Sequence, residues 1–371
     1  MAEPPVSVAV LGAAGTIAPA IVHDLGVSDE VARMTLLDLD PDKAAAVAGQ
    51  HGHDKATAWR VDARDVDALA GAITSAGAGV LLNTASYRIN LEAMRACLAA
   101  RCHYLDLGGL YHMTRDQLEF GPEFERADRL AVLGIGSSPG KTNLMAAEAV
   151  DRLGDGAAGI DTIEICAAGR DPAAPADGRL RPPYAIQTLI DELTLAPVVL
   201  AGGRATQIEP LSPGGTVDYG DPIGRGDTIY TLHSELATFA ESFGCQNASF
   251  RLSLVPALQA RLEQLAQAPP DEVATAAREA ASPSNETVSV HLVIVHAVDG
   301  DIVTARAITR PHFGLGGSVV STAGPAAACV RLLARGELSA TGAHPPERCI
   351  PPGLMFAELE TRGCTFSFSR Q

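Results

Sequence analysis

Gly12, Ala14, Gly15, Thr16 and Ile17 lie on a turn of small residues directly after the apolar run Val6, Val8, Val10 and Leu11, and Asp38 closes the next apolar run, Met34-Thr-Leu-Leu-Asp38. A continuous hydrophobic run is how a parallel strand buried on both faces reads in sequence. A turn of tiny residues after it lets the start of the next helix approach a pyrophosphate, whose charge the helix N–H groups and dipole favour. A carboxylate ending the second strand can accept hydrogen bonds from ribose hydroxyls. The chemistry that fits is dinucleotide binding. The spacing is G-x-x-G-x-x-A, with Ala14 and Ile17 where the usual fingerprint has glycine, so an ordinary tight turn in another doubly wound domain is the competing reading. A free 2′-hydroxyl favours a carboxylate and a 2′-phosphate a cation. Asp38-Leu39-Asp40-Pro41-Asp42 is acidic, with Lys43 the nearest cation and Arg64 farther off. NAD is therefore expected in preference to NADP.

The elements that must position these residues alternate. Strands are expected at Met34–Asp38, Ala58–Val61, Gly79–Asn83, Cys102–Asp106 and Ala131–Gly134, with helices at Pro41–Gln50, Val66–Ser75, Leu91–Ala100 and Thr114–Leu130 between them. Such alternation predicts a parallel sheet with crossover helices, a Rossmann-type α/β domain. Asp62, Asn83, Thr84 and Ala85 follow strand ends and join the cofactor-binding candidates. The composition then changes. Gly154–Gly159, Asp171–Gly178 and Ser212–Gly226 are loop-rich, and Glu286–Ala297 with Ile302–Ile308 reads as two long strands turning at Asp299-Gly300. This region reads as α+β with a mixed, largely antiparallel sheet. A helix is expected from Gly324 through Arg335, followed by Pro-rich turns and a short last element.

Bulk properties fit a two-domain enzyme. The 371 residues exceed the size at which one core stops growing. A net charge of −16 argues against a nucleic-acid partner. No uninterrupted apolar run of membrane-spanning length and no basic, apolar leader is evident, so neither a membrane partner nor secretion is expected, and the expected location is cytoplasmic. Seven cysteines without a C-x-x-C pair indicate neither a disulfide frame nor a zinc ribbon. His51-Gly-His53 lacks further ligands at recognisable spacing, and no metal is expected.

Six segments in order resemble the saccharopine dehydrogenase family, and within it the amine-oxidising lysine 6-dehydrogenase type. They are Val10-Leu-Gly-Ala-Ala-Gly15; Asn83-Thr-Ala-Ser-Tyr87; His103-Tyr-Leu-Asp106-Leu-Gly; Gly134-Ile-Gly-Ser-Ser-Pro139-Gly-Lys-Thr-Asn143; Asp221-Pro-Ile-Gly224 with Tyr230-Thr-Leu-His233-Ser-Glu235; and Gly342-Ala-His-Pro-Pro346-Glu-Arg. The resemblance implies a Rossmann domain of residues 1–136 and 315–371 and a substrate-binding and dimerisation domain of residues 137–314. It also implies a homodimer and hydride transfer between a nicotinamide and a nitrogen-bearing carbon.

Oxidising an amine requires taking a proton from the ammonium and stabilising an iminium beside the cofactor. Asp106, ending a parallel strand and matching the family's Tyr-Leu-Asp segment, is the candidate to hold the substrate ammonium. Tyr87 falls near the nicotinamide on the same argument, and Asn83 and Thr84 can donate to the cofactor. His233 is the preferred proton acceptor, and Glu235 shares its face if the segment after Ile229 is extended. His312 competes for that role. Lys141, at a helix start, can pair with a substrate carboxylate. The leading expectation is NAD-dependent oxidation of an amino acid, best L-lysine at its ε-carbon. The alternatives are reductive condensation of an amine with a keto acid or semialdehyde, with anionic-group anchors drawn from Arg170, Arg179, Arg181 and Arg225, and a non-catalytic NAD-binding sensor.

Overall fold

The computed structural model describes residues 4–154, 159–173, 180–281 and 283–371. Its strands run in chain order as β1 (Val6–Leu11), β2 (Val31–Asp38), β3 (Ala56–Arg60), β4 (Val80–Asn83), β5 (His103–Asp106), β6 (Leu130–Val132), β7 (Ile160–Arg170), β8 (Val198–Ala201), β9 (Arg204–Gln207), β10 (Pro213–Asp218), β11 (Arg225–Tyr230), β12 (Asn247–Ser253), β13 (Val288–Ala297), β14 (Ile302–Thr309), β15 (Gly342–His344) and β16 (Cys364–Arg370). The chain divides into two compact units, Met1–Lys141 with Thr322–Glu358, and Thr142–Ser321 with Leu359–Gln371.

In the first unit seven strands form one sheet in the order β15-β6-β5-β4-β1-β2-β3. Every pairing in it is parallel. This is the doubly wound order with its reversal beside β1, where ligands bind at strand C-termini in such sheets. Local sequence explains the crossovers. The helix Pro41–His51 starts on Asp40, whose side chain accepts from the Lys43 N–H, and Val66–Ala76 starts on Asp65 in the same way and ends on left-handed Gly77. Leu37, Leu69, Ile73, Leu81, Met94, Tyr104 and Phe124 pack into one buried cluster.

Two expected elements differ. The single helix at Thr114–Leu130 is two, Leu110–Leu118 and Gly121–Arg126, because Pro122 occupies the first turn of the second and has no N–H to continue the first. The helix expected from Gly324 spans Gly317–Ala334 and keeps Pro325 inside it. Among the described residues it is the one helix long and apolar enough to cross a membrane, yet 78% of it is buried in the fold, and its Arg331 pairs with Asp24.

The second unit is built on a nine-stranded sheet, β10-β11-β12-β7-β13-β14-β16, with β8 pairing β12 and β9. Only β12 with β7 is parallel; the other pairings are antiparallel. The β13–β14 hairpin turns where Gly300 takes a φ of 98°. The unit boundaries fall later than the sequence reading placed them. Residues 137–141 stay in the first unit, where Lys141 N–H donates to Gly136 O and Ile135 N–H to Asp106 O. Residues 359–371, expected in the first unit with the rest of the C-terminal region, lie in the second, because β16 pairs along β14 from Cys364 to Arg370.

Candidate functional site

The glycine turn is held from three sides within the first unit. Gly12 has a φ of 79°, and a Cβ there would lie 2.6 Å from the Ala85 backbone. Glycine is therefore needed at position 12 both for conformation and for close approach. The Thr84 hydroxyl donates to Leu11 O at 2.8 Å, and the Thr84 N–H to the same oxygen at 2.8 Å. Asp38 accepts from the Ala14 N–H at 2.9 Å with one oxygen and from the Asp40 N–H at 2.9 Å with the other. Gly15 and Thr16 are exposed, Ile17 is buried, and no side chain caps the helix Ala18–Gly26 that begins after it. An uncapped helix start beside an exposed Gly15-Thr16 is where a pyrophosphate would be held, and the donor set fits a dinucleotide. Lys43 is paired with Asp40 at 3.0 Å, and Asp62 with Arg64 at 2.6 Å, so both nearby cations already have carboxylate partners.

The next strand ends form a buried polar knot. Asn83 accepts from the Ala85 N–H at 3.0 Å and donates to Asn90 at 2.9 Å. Asp106 is only 1% exposed. One of its oxygens accepts from the Gly134 N–H at 2.7 Å and the Gly108 N–H at 2.9 Å, the other from Gln117 at 2.6 Å and Asn90 at 3.3 Å. Burial pushes its carboxyl above the usual range, against the pull of Gln117, the Gly134 N–H, Tyr104 and the Gly108 N–H. In this arrangement its acceptor capacity holds the ends of β5 and the turns after it rather than facing outward. Tyr87, half-buried at the start of the short helix Tyr87–Ile89, has the Arg88 guanidinium 4.8 Å over its ring. Lys141 is buried at the start of the helix Lys141–Asp151.

The second unit holds a buried acid–histidine cluster. His233 lies past the end of β11, and Glu235 opens the short helix Glu235–Ala237, so the two are not on one extended face. They meet nonetheless: His233 Nδ1 is 2.9 Å from Glu235 Oε2, and the Thr142 hydroxyl donates to the other Glu235 oxygen at 2.8 Å. His233 Nε2 faces Glu192 Oε1 at 3.9 Å, and Tyr184 donates its hydroxyl to Glu192 Oε2 at 2.5 Å. The imidazole stacks on Phe250, ring centroids 3.5 Å apart and planes within 13°. His233, Glu192 and Glu235 are all nearly inaccessible. Burial alone would lower the imidazole pKa, but Glu235 and Glu192 outweigh it and raise it. Burial lifts Glu192 to about 7, against His233 and Tyr184. Two residues before the histidine, the buried Thr231 hydroxyl has no hydrogen-bond partner among the described residues.

Glu192, Tyr184, Phe250 and the Asn90–Gln117 pair escape a reading of the sequence. The available signal for Glu192 was two adjacent carboxylates with no cation in the nine-residue amphipathic helix Ile186–Thr194. His312 turns back on itself, its N–H bonded to Leu315 O and its ring against Phe313. Arg170 donates to Pro222 O, Arg225 is exposed, the Arg181 Nε is buried without a partner, and Arg179 lies outside the described residues. His53 and His23 share a contact at 3.1 Å, and the His51 ring lies edge-on to His23.

Comparison with known proteins agrees with the geometry of the first unit. Residues 8–132 match the family model of the saccharopine dehydrogenase NADP binding domain. The carboxynorspermidine synthase of Vibrio alginolyticus is 31% identical over 121 residues, 30% of this chain and 28% of that protein. The carboxyaminopropylagmatine dehydrogenase of Synechocystis is 25% identical over 235 residues, 62% of this chain and 57% of that one. The matched stretches thus span from about a quarter to just over half the length of these relatives. Among solved structures, the fold is shared with saccharopine dehydrogenase (L-Glu forming) from Saccharomyces cerevisiae, TM-score 0.70 at 14% identity, covering 99% of this chain and 100% of that one. It is shared also with homospermidine synthase from Legionella pneumophila in complex with NAD, TM-score 0.74 at 11% identity, covering 98% of this chain and 91% of that one. Residues 8–132 are thus similar to the saccharopine dehydrogenase NADP binding domain, and the chain shares the fold of these two solved structures.

Proposed function

We propose that the chain is a nicotinamide-dependent oxidoreductase acting at a carbon–nitrogen bond, which reduces an imine formed between a cationic amine and a carbonyl compound such as a keto acid or semialdehyde. The observation that carries the direction is His233 set between Glu235 and Glu192, an environment that favours the imidazolium. A charged imidazole is a proton donor, and the nitrogen of an amine product needs a proton when its carbon gains hydride. The bound nicotinamide would supply that hydride. The names of the relatives, carboxynorspermidine synthase and carboxyaminopropylagmatine dehydrogenase, support an amine as the substrate class. For the cofactor the reading is NAD in preference to NADP. The acidic Asp38–Asp42 stretch supports it, as does the engagement of Lys43 and Arg64 with carboxylates; the matched family model is described as NADP binding.

Oxidation of L-lysine at its ε-carbon is the second reading. The resemblance to the lysine 6-dehydrogenase type favours it, and it runs the same chemistry backwards, with His233 accepting a proton. Lys141 would then pair with the amino-acid carboxylate. A homodimer in the cytoplasm belongs to either reading.

The test follows nicotinamide absorbance with purified protein. NADH or NADPH is offered with pairs of a diamine or amino acid and a semialdehyde or keto acid, and NAD with L-lysine, L-ornithine and saccharopine. Consumption of reduced cofactor that requires both partners establishes condensation. Reduction of NAD by a single diamino acid, with no activity on any pair, overturns it in favour of the second reading.

A further inference from the structure

Resting on the reading of His233 as the group that exchanges a proton with substrate, we infer that Glu192, held by Tyr184, is a positioning residue that keeps His233 Nε2 protonated. Each ring nitrogen of His233 meets a different carboxylate. Nδ1 is within hydrogen-bond reach of Glu235, at 2.9 Å, so the proton on that side is fixed by a carboxylate that the Thr142 hydroxyl also orients. Nε2 lies 3.9 Å from Glu192 Oε1, too far for a direct hydrogen bond but close enough for strong attraction between buried charges. Glu192 cannot swing away freely, because Tyr184 holds its other oxygen at 2.5 Å, and Phe250 fixes the imidazole plane by stacking.

The charge count explains why the second carboxylate matters. Glu235 alone balances one imidazolium, and Glu192 adds a further acidic group to a site where water is nearly excluded. Asp191, next in the helix, also acts on Glu192, and its side chain accepts from Gln187 at 3.3 Å. When Nε2 gives up its proton, the ring becomes neutral with Nδ1–H still on Glu235, and the accepting nitrogen gains that proton and one positive charge.

The experiment is a pH titration of the His233 ring by NMR on ring-15N-histidine-labelled full-length protein, with the signal assigned by its loss in His233→Gln. In Glu192→Gln the His233 midpoint is expected to fall by about one pH unit, a tenfold change in proton affinity. In Tyr184→Phe it moves the same way and less, since Glu192 loses a donor that favours its charge. The alkaline limb of kcat/KM should fall in step. A midpoint unchanged in Glu192→Gln overturns the inference. If that variant does not fold, an unchanged midpoint in Tyr184→Phe does so. A shifted midpoint in a protein that turns over no amine and carbonyl pair supports the role of Glu192 and refutes the function on which it rests, so the two failures are told apart.

Discussion

At residue scale, the part of the site legible in the sequence is the part built from local chain chemistry. Gly12, Gly15 and Asp38 stand out because a positive φ, a close approach and a strand-end carboxylate each restrict the residue type. Asp106 stood out as well, but its surroundings were hidden: Asn90 and Gln117 come from helices 16 behind and 11 ahead in the chain, and nothing in their local pattern marks them as its donors. Two predictions belong here. Gly12→Ala places a methyl 2.6 Å from the Ala85 backbone in a left-handed conformation. It should weaken NAD binding at least tenfold by calorimetric titration, and a Kd within twofold of the parent would show that the turn does not receive the cofactor. Asp106→Asn turns one acceptor oxygen into an NH2 group facing existing donors. Because the site is buried, the expected loss is about 2–4 kcal/mol in denaturant unfolding. A loss of activity at unchanged stability would instead return Asp106 to a direct role in chemistry.

At element scale, periodicity placed the strands and helices of the first unit well, because each crossover buries its own apolar stripe between punctuating residues. It failed where tertiary contacts override punctuation. The helix Gly317–Ala334 starts on Gly317 and runs through Gly324 and Pro325. The segment after β11 leaves the extended form before His233, so period-two alternation gave the right pair of residues for the wrong reason. The helix Gly317–Ala334 is also tied electrostatically. Arg331 meets Asp24 at 3.1 Å and Glu358 at 2.7 Å, and Arg335, just past the helix end, meets Glu30 at 3.0 Å and Glu358 at 2.9 Å. Burial would raise the Glu30 carboxyl, but the Ser28 hydroxyl, its own backbone N–H and Arg335 outweigh it and bring it down to about 2. A depressed carboxylate stabilises the folded state above its unfolded pKa and loses that contribution as pH falls through the folded value. Stability from this pair should therefore be whole above about pH 4.5 and drain away towards about pH 2. Arg335→Ala should flatten that part of the pH–stability curve in urea titrations, and an unchanged curve would mean the pair contributes nothing there.

At the scale of the whole molecule, each unit is made from two separate stretches of chain; the family resemblance implied this for the first unit, and the second was expected as one continuous stretch. The misplaced part is the C-terminus. A seven-residue alternating strand carries no mark of which sheet it will join, and residues 359–371 close the second sheet rather than the first. That closure makes a prediction separating the units. Deleting residues 363–371 removes β16 and leaves β14 as a bare edge from Val303 to Thr309, with seven residue pairings lost. The first unit keeps both of its stretches, including β15 on β6 and the whole glycine turn. In scanning calorimetry, the truncated protein should show the transition of the second unit lowered, with a stronger tendency to aggregate. NAD at about 100 times its Kd should still stabilise the first unit by roughly 2.7 kcal/mol, as in the full chain. Loss of NAD binding on truncation would mean that the two units do not carry their functions separately, and that the nucleotide turn depends on the sheet β16 completes.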